Sequence, residues 1–488
     1  MDRIPASLQE KIISPLQAAE MVSAGNIVAF SGFGQVGDPH IIPKAIVELG
    51  KADNLTVITG ASVGPVVDGD MIAAGLVSRR FPYQTGKIIR QAINDGNVAY
   101  ADQHLSHTGK FLMTGDGPGI DIAIVECCAI TEEGLYPATV VGTTDSCVAC
   151  AKKVLVELNT TLPVELVGMH DIYSAAGKNE PIALSNVMDR LGTPFIPCAP
   201  EKIAGIVVTD DPDFFPTFRD ADEDSKIIAS NIVDFLKNEI AAGRQPECLN
   251  PIQSGVGNVA NAVLAGLGNS GLSGLSMFTE VLQDSALDLI KKGIIVGASC
   301  TSMTLSRKGM DELISNMDYY NKRIIIRPQE ISNNPELVRR LRPITLNTPI
   351  EVDIYGNVNS THVMGTNIMN GIGGSGDFTR NGGLTIFATP SLVKGGAISC
   401  IVPMCSHIDH TEHDVMVIVT EQGVADLRWK SPRERAVEII ENCAHPEYKD
   451  MLRDYFNRAC EGKGHTPHIL SEALSWHDRF NNTGSMKL

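Results

Sequence analysis

Short runs of aliphatic and β-branched residues alternate with helically spaced apolar positions along the first half of the chain. The runs are NIVAFSGF at 26–33, LTVITGAS at 55–62, IDIAIVECCAI at 120–130, KVLVELNTTLP at 153–163 and KIAGIVVTD at 202–210, with an amphipathic stretch at 40–49. Strands that are apolar along their whole length belong in a parallel sheet covered on both faces, so the pattern predicts an α/β fold. A Pro- and Asp-rich passage at 210–224 reads as a linker, and the apolar spacing of 225–244 predicts the helix that opens the second half.

That second half repeats the first. IQSGVGNVANAVLAGL at 252–267 runs from strand end through glycine loop to helix, as IVAFSGFGQVGDPHIIPKAI does at 27–46, and LSMFTEV at 275–281 follows where LTVITGAS did. Superposing the copies sets Gly60 against Glu280. A carboxylate at the C-terminal end of a parallel strand points into the crevice where open α/β sheets bind ligands. Surface exposure is the ordinary fate of a Glu, but Phe278 and Thr279 before it and Val281 and Leu282 after it argue for partial burial. A chain of 488 residues exceeds one ordinary core, and two similar open α/β domains are expected, 1–222 and 223–488. The second would carry the carboxylate and a further glycine loop.

This loop is NGIGGSGDF at 370–378, between GNVNSTHV at 356–363 and a strand-like LTIFATP at 384–390. Backbone N–H groups can approach a ligand closely where side chains are absent, and glycines at positive φ let them converge on an anion or a developing oxyanion. A plain tight turn is the competing reading; the flanking strand-like segments favour a fixed loop between core elements.

Composition narrows the classes. The 43% hydrophobic and 20% charged fractions suit a soluble globular protein, and a formal charge of -17 argues against non-specific nucleic-acid binding. An anionic ligand would need local positive charge and backbone amides, against the overall field. No apolar run reaches the ~18 residues of a membrane helix, and MDRIPASLQEKI lacks a signal-peptide core, which predicts a cytoplasmic protein. Eleven scattered cysteines fit a reducing compartment; Cys147 and Cys150 make one CxxC with no second pair to complete a zinc site.

Three further motifs carry alternatives. GFGQVG at 32–37 matches the dinucleotide fingerprint, but Asp38-Pro39 follows at once, more like a helix N-cap with proline in the first turn, and the next strand ends in TGAS with no ribose-binding acid. His407, His410 and His413 in CSHIDHTEHD could be metal ligands or part of a hydrogen-bonded polar connection. Glu421 in TEQGVADLR could support catalysis or pair with Arg428.

Taken together, SGVGNV (254–259), FTEVLQDS (278–285), RPQEISNNPE (327–336), YGNVNSTHV (355–363), NGIGGSGDF, VPMCSHIDH and TEQGVADLR (420–428) make the chain resemble the acetyl-CoA hydrolase/transferase family of class I CoA-transferases; SGFG, TGAS and PYQT (82–85) extend the likeness into the first half. The resemblance implies two similar α/β domains with the site in the cleft between them. It implies Glu280 as the nucleophile that forms a glutamyl-CoA thioester, and Gly255, Val256, Gly257, Asn258, Val259, Asn370, Gly374 and Lys394 as CoA-contacting positions. Gly374 would also supply an oxyanion-hole N–H, with Asn333 and Glu421 as auxiliary polar residues. Acyl-CoA and small carboxylates would be the substrates, with no prosthetic group and no metal, and a homodimer is the default assembly. The expected activity is transfer of CoA between small acids of the acetate, succinate and propionate class. Hydrolysis of acetyl-CoA is the near alternative, and a non-enzymatic acyl-CoA sensor the alternative from another class.

Overall fold

The computed structural model describes residues 3–487 except 176, 177, 179 and 219. Internal contacts divide the chain into two units, Met1–Phe218 with Ser276–Leu341, and Arg219–Leu275 with Arg342–Leu488. Where one boundary was expected, at 222/223, the contacts draw three. The segment 276–341 is stitched to the first unit by backbone bonds such as Met303 N–H to Thr139 O (2.9 Å) and Val141 N–H to Thr301 O (2.9 Å).

In the first unit the apolar runs become β1 (Ile27–Phe30), β2 (Leu55–Ile58), β3 (Val77–Phe81), β4 (Ala99–Tyr100), β5 (Ile122–Ile130), β6 (Gly134–Pro137), β7 (Lys153–Asn159), β8 (Ile196–Pro197) and β9 (Ile203–Thr209). Seven of them run parallel in the order β4-β3-β2-β1-β5-β7-β9, while β6 pairs antiparallel with β5 and β8 antiparallel with β6. All nine residues of β5 are buried, as a central strand covered on both faces requires. β3 escapes the pattern. Its VSRRF buries Arg80 completely, with Nε 2.8 Å from Asp68 Oδ1 and Nη2 3.0 Å from Ser62 O, and only such partners make a buried guanidinium tolerable.

The helix Ile41–Leu49 packs Ile42, Ala45 and Ile46 on β1 and β2 and ends at Gly50 in the left-handed region (φ 61°). It corrects the expected cap, for the helix begins at Ile41 rather than beside Asp38. Its N-terminus is closed from elsewhere: the Glu157 carboxylate, on β7, accepts the N–H groups of His40, Ile41 and Ile42 at 2.9–3.1 Å. The helix terminus that a pyrophosphate would occupy already holds a carboxylate of the protein, which removes the physical basis of the dinucleotide reading. Asp38 instead lies buried and accepts the Ser62 hydroxyl; desolvation raises its pKa well above the usual range, although the Ser62 bond opposes the shift.

In the second unit Ile252–Ser254, Ile344–Asn347, Leu384–Ala388 and Val417–Thr420 run parallel in that order, and Gly423–Asp426 returns antiparallel. The duplication is visible in this order, since Ile344–Asn347 comes back to pair with the opening strand after intervening βα steps, as β5 does with β1. The core gathers Phe387, Ile401, Ile418, Leu427, Ile439 and Tyr448. The helix Glu223–Ala241 starts where Asp222 accepts the Ser225 N–H (2.8 Å), close to its expected start.

Candidate active site

Glu280 follows the strand Leu275–Phe278 and precedes the short strand Val281–Leu282, so its backbone is held on both sides. Its carbonyl accepts the N–H groups of Thr301 (2.9 Å) and Ser302 (3.0 Å), and Thr279 N–H bonds Ser299 O (3.0 Å). The carboxylate is half-buried, and Asn333 Nδ2 donates to its Oε1 at 2.7 Å. Asn333 ends the short helix Gln329–Ser332, with its own N–H on Gln329 O (2.9 Å). The hydroxyl of Ser332 donates to Asn333 Oδ1 (2.7 Å), and this decides which end of the amide faces the carboxylate. Ser332 and Asn333 are fully buried, so the pair is a preset donor. Near the same carboxylate, desolvation raises the Tyr83 pKa and the charge of Glu280 adds to the rise, so Tyr83 stays a neutral phenol. Neither Ser332 nor Tyr83 had been assigned a role from sequence, although Tyr83 lies inside PYQT.

The second unit supplies donors of another kind. Gly255 N–H bonds Leu346 O (3.1 Å), Val256 is exposed, and Gly257 caps the helix Asn258–Gly268 at φ 116°, a conformation that glycine alone adopts comfortably. Gly257 has no side chain with which to cap that helix, and among the described residues a Cβ built on it meets nothing within 4 Å. The first-turn N–H groups, including those of Asn258 and Val259, therefore form an anion-compatible end.

In the loop at 370–378, Gly373 takes a positive φ (60°), whereas Gly374 is right-handed (φ -91°, ψ 0°) and caps the short helix Ser375–Asn381. Helix initiation, more than a run of left-handed glycines, orients its amides. Ser375 Oγ donates to Ile372 O (2.9 Å), and Asn370 Nδ2 donates to Ser360 O (3.1 Å) and Gly371 O (2.9 Å). Lys394 sits in a left-handed turn with Gly395 and Gly396, its Nζ 5.0 Å from the Phe480 ring centre.

Glu421 accepts Ser391 N–H (2.8 Å), the Ser391 hydroxyl and Gln422 Nε2 (2.9 Å). Desolvation alone would raise its pKa, but these bonds outweigh it and hold the group below the usual carboxylate range. The pairing with Arg428 considered from sequence is replaced: Arg428 binds Glu239 (2.8 Å) and Asp426 (2.7 Å).

The histidines part company. His407 stacks on His362 with ring centres 3.9 Å apart, His410 Nε2 lies 3.1 Å from Ser375 Oγ, and His413 turns to Thr411. Among the described residues no group of three or more His, Cys, Asp or Glu side chains is placed to hold a metal ion. All eleven cysteines are free thiols; Cys147 is buried, and Cys150 Sγ lies 3.5 Å from Met113 Sδ.

Of the residues singled out from sequence, the first unit thus unites Glu280 with Asn333. The second unit holds Gly255 to Val259, Asn370, Gly374, Lys394 and Glu421.

Residues 2–208 match the model of the acetyl-CoA hydrolase/transferase N-terminal domain, and 309–456 that of the C-terminal domain. The chain is 52% identical to succinyl-CoA:acetate CoA-transferase of Clostridium kluyveri, over 98% of this chain and 91% of that one. It is 41% identical to acetyl-CoA hydrolase of Schizosaccharomyces pombe, over 99% of this chain and 97% of that one. The solved structure of RipA from Yersinia pestis matches at a TM-score of 0.73 and 22% identity, covering 93% of this chain and 98% of RipA, which is a likeness of fold.

Proposed function

This chain belongs to the acetyl-CoA hydrolase/transferase family, and on that premise we propose that it is a CoA-transferase, moving CoA between small carboxylic acids such as acetate, succinate and propionate through a thioester on Glu280. The observation that carries the reading is the 2.7 Å bond from a buried, preset amide to one oxygen of a half-buried carboxylate. A carboxylate is ionised at pH 7 without a base, so Glu280 attacks the acyl-CoA carbonyl with Oε2. The acyl C–S bond breaks, and a mixed anhydride and CoA thiolate result. The thiolate then attacks the Glu280 carbonyl carbon, expels the first acid as a carboxylate and leaves the enzyme thioester. A second carboxylate runs the sequence backwards and departs as the new acyl-CoA.

In both anhydride and thioester the oxygen held by Asn333 is the carbonyl oxygen of Glu280, so Asn333 donates to the oxyanion formed when that carbon is attacked. Gly374 N–H would serve the oxyanion on the substrate acyl group, and a donor of this kind contributes about 3 kcal/mol. The helix end at Gly257 to Val259, with Asn370 and Lys394, would hold CoA, and Glu421 would complete the polar surroundings of the acyl group. No step calls for a metal or a redox group. The reading includes a cytoplasmic homodimer; light scattering tests the dimer, which predicts twice the 52.3 kDa chain mass. No described helix is long and apolar enough to cross a membrane.

The likeness to an acetyl-CoA hydrolase favours a second reading, in which water replaces the acceptor acid. The two separate on how well water is excluded from the thioester. Conversion of acetyl-CoA to succinyl-CoA should require added succinate, conserve total thioester and follow ping-pong kinetics; loss of total thioester at an equal rate without added acid would make the protein a hydrolase. Borohydride trapping followed by mass spectrometry should locate the modification on Glu280, and an unmodified chain would point to a sensor.

A further inference from the structure

Asn370 spends both N–H bonds of its amide on neighbouring carbonyls, Ser360 O and Gly371 O, which turns Oδ1 to the opposite side as a fixed acceptor. What fixes Ser360 lies outside the glycine loop. Asp409 Oδ2 accepts the Ser360 N–H at 2.6 Å, and the same carboxylate accepts the Thr361 hydroxyl at 2.9 and 3.0 Å. Thr361 O in turn accepts the N–H of Met369, so the 360–361 peptide grips the chain before the loop at two points. Asp409 is itself anchored by its own N–H on Val358 O (2.9 Å).

Behind it the network closes on histidines. Because the Thr361 hydroxyl proton goes to the carboxylate, the 2.7 Å contact with His362 Nδ1 makes that nitrogen the donor. His362 thus carries a proton at Nδ1, with desolvation and then the neighbouring His407 lowering its pKa against the opposing charge of Asp409. His407 Nε2 lies 3.3 Å from Asp409 Oδ1 and completes the shell around the carboxylate.

Resting on the CoA-transferase reading, we infer that Asp409 is a positioning residue that acts through Ser360 and Thr361 to aim Asn370 Oδ1 at an amide N–H of the pantetheine arm of CoA. The complementarity is chemical. A fixed carbonyl acceptor wants an N–H donor; the pantetheine arm carries amide N–H groups, whereas a phosphate offers only further acceptors and would repel Oδ1.

The test is a double-mutant cycle on KM with two donors, acetyl-CoA and acetyl-pantetheine, which lacks the nucleotide. Asn370→Ala should raise KM about tenfold for both donors, the size of one hydrogen bond, with kcat changed less than about twofold. Asp409→Ala should do the same, the double variant should be no worse than Asn370→Ala alone, and Asp409→Glu should recover part of the loss. Additive losses, or an Asn370→Ala effect present with acetyl-CoA and absent with acetyl-pantetheine, would overturn the assignment. Should Asp409→Ala fail to fold, Asp409→Asn keeps the volume and one acceptor and supports the same cycle. Borohydride trapping on the unmodified protein separates the two ideas: no Glu280 thioester sinks the transferase reading, whereas a thioester with additive variants sinks this inference alone.

Discussion

The two halves of this chain use one plan, strand, glycine loop, helix, strand, for opposite purposes. In the first copy the helix end after the loop is filled by Glu157, which takes three N–H groups, and the next strand ends in Gly60. In the second copy the helix begins at Gly257, which has no side chain to cap it and where an added Cβ meets nothing within 4 Å among the described residues, and just beyond the matching strand lies Glu280, held by Asn333. A helix terminus offers the same partial charge wherever it occurs, so what distinguishes the two copies is whether a carboxylate of the protein satisfies that charge. Gly60 fits the first role: a Cβ there would lie 2.7 Å from Gln329 Oε1, so even alanine is crowded where the second copy carries a glutamate.

The contrast is open to direct attack. Glu280→Ala should lower transfer by about a thousandfold or more and abolish the trapped adduct, while urea denaturation stays near that of the unmodified protein; normal turnover would erase the distinction between the copies. Glu157→Ala should do the reverse. Three orphaned N–H groups in a buried site cost about 3 kcal/mol, read as a lower urea midpoint, with kcat per folded molecule unchanged. Smaller still, Gly257→Ala forces an L residue to φ 116° at a cost of about 1–2 kcal/mol, and KM for acetyl-CoA should rise about tenfold while kcat holds.

The smallest effect is electrostatic. Burial raises the Asp38 pKa in the folded chain, so the native state keeps a proton that the unfolded chain releases from about pH 4 upward. The stability attached to that proton is present below pH 4 and is lost as pH climbs towards the raised folded value. Asp38→Asn, which can still accept from Ser62, should flatten that part of the urea-midpoint profile. An unchanged slope would mean that other buried carboxyls set it, such as Asp213, pushed up to about 6 chiefly by desolvation.

Much of this was legible along the chain because it is local. β1, β2, β5, β7 and β9 announce themselves as apolar runs, the helix Ile41–Leu49 as a 3.6-residue period, and Glu280 as a carboxylate wedged among apolar neighbours. β3 did not, because Arg80 is acceptable inside the protein only once Asp68 and Ser62 surround it. The metal reading of the histidine cluster weakened for a related reason. Spacing in CSHIDHTEHD brings the residues together in sequence, but His362 captures His407 and Ser375 captures His410.

By itself, then, the sequence determined the α/β class, the internal repeat, the glycine loops and the place of Glu280 just beyond a strand end, since each is written in spacing and residue type over a few tens of positions. Tertiary structure alone decided which copy would be plugged, which way the Asn333 amide faces, and that Asp409 grips Ser360. Those outcomes depend on hydrogen bonds whose geometry no local pattern encodes. Glu157 meets His40 across 117 positions and Asp409 meets Ser360 across 49, and a carboxylate becomes a cap or a clamp only when folding has chosen which N–H groups it faces.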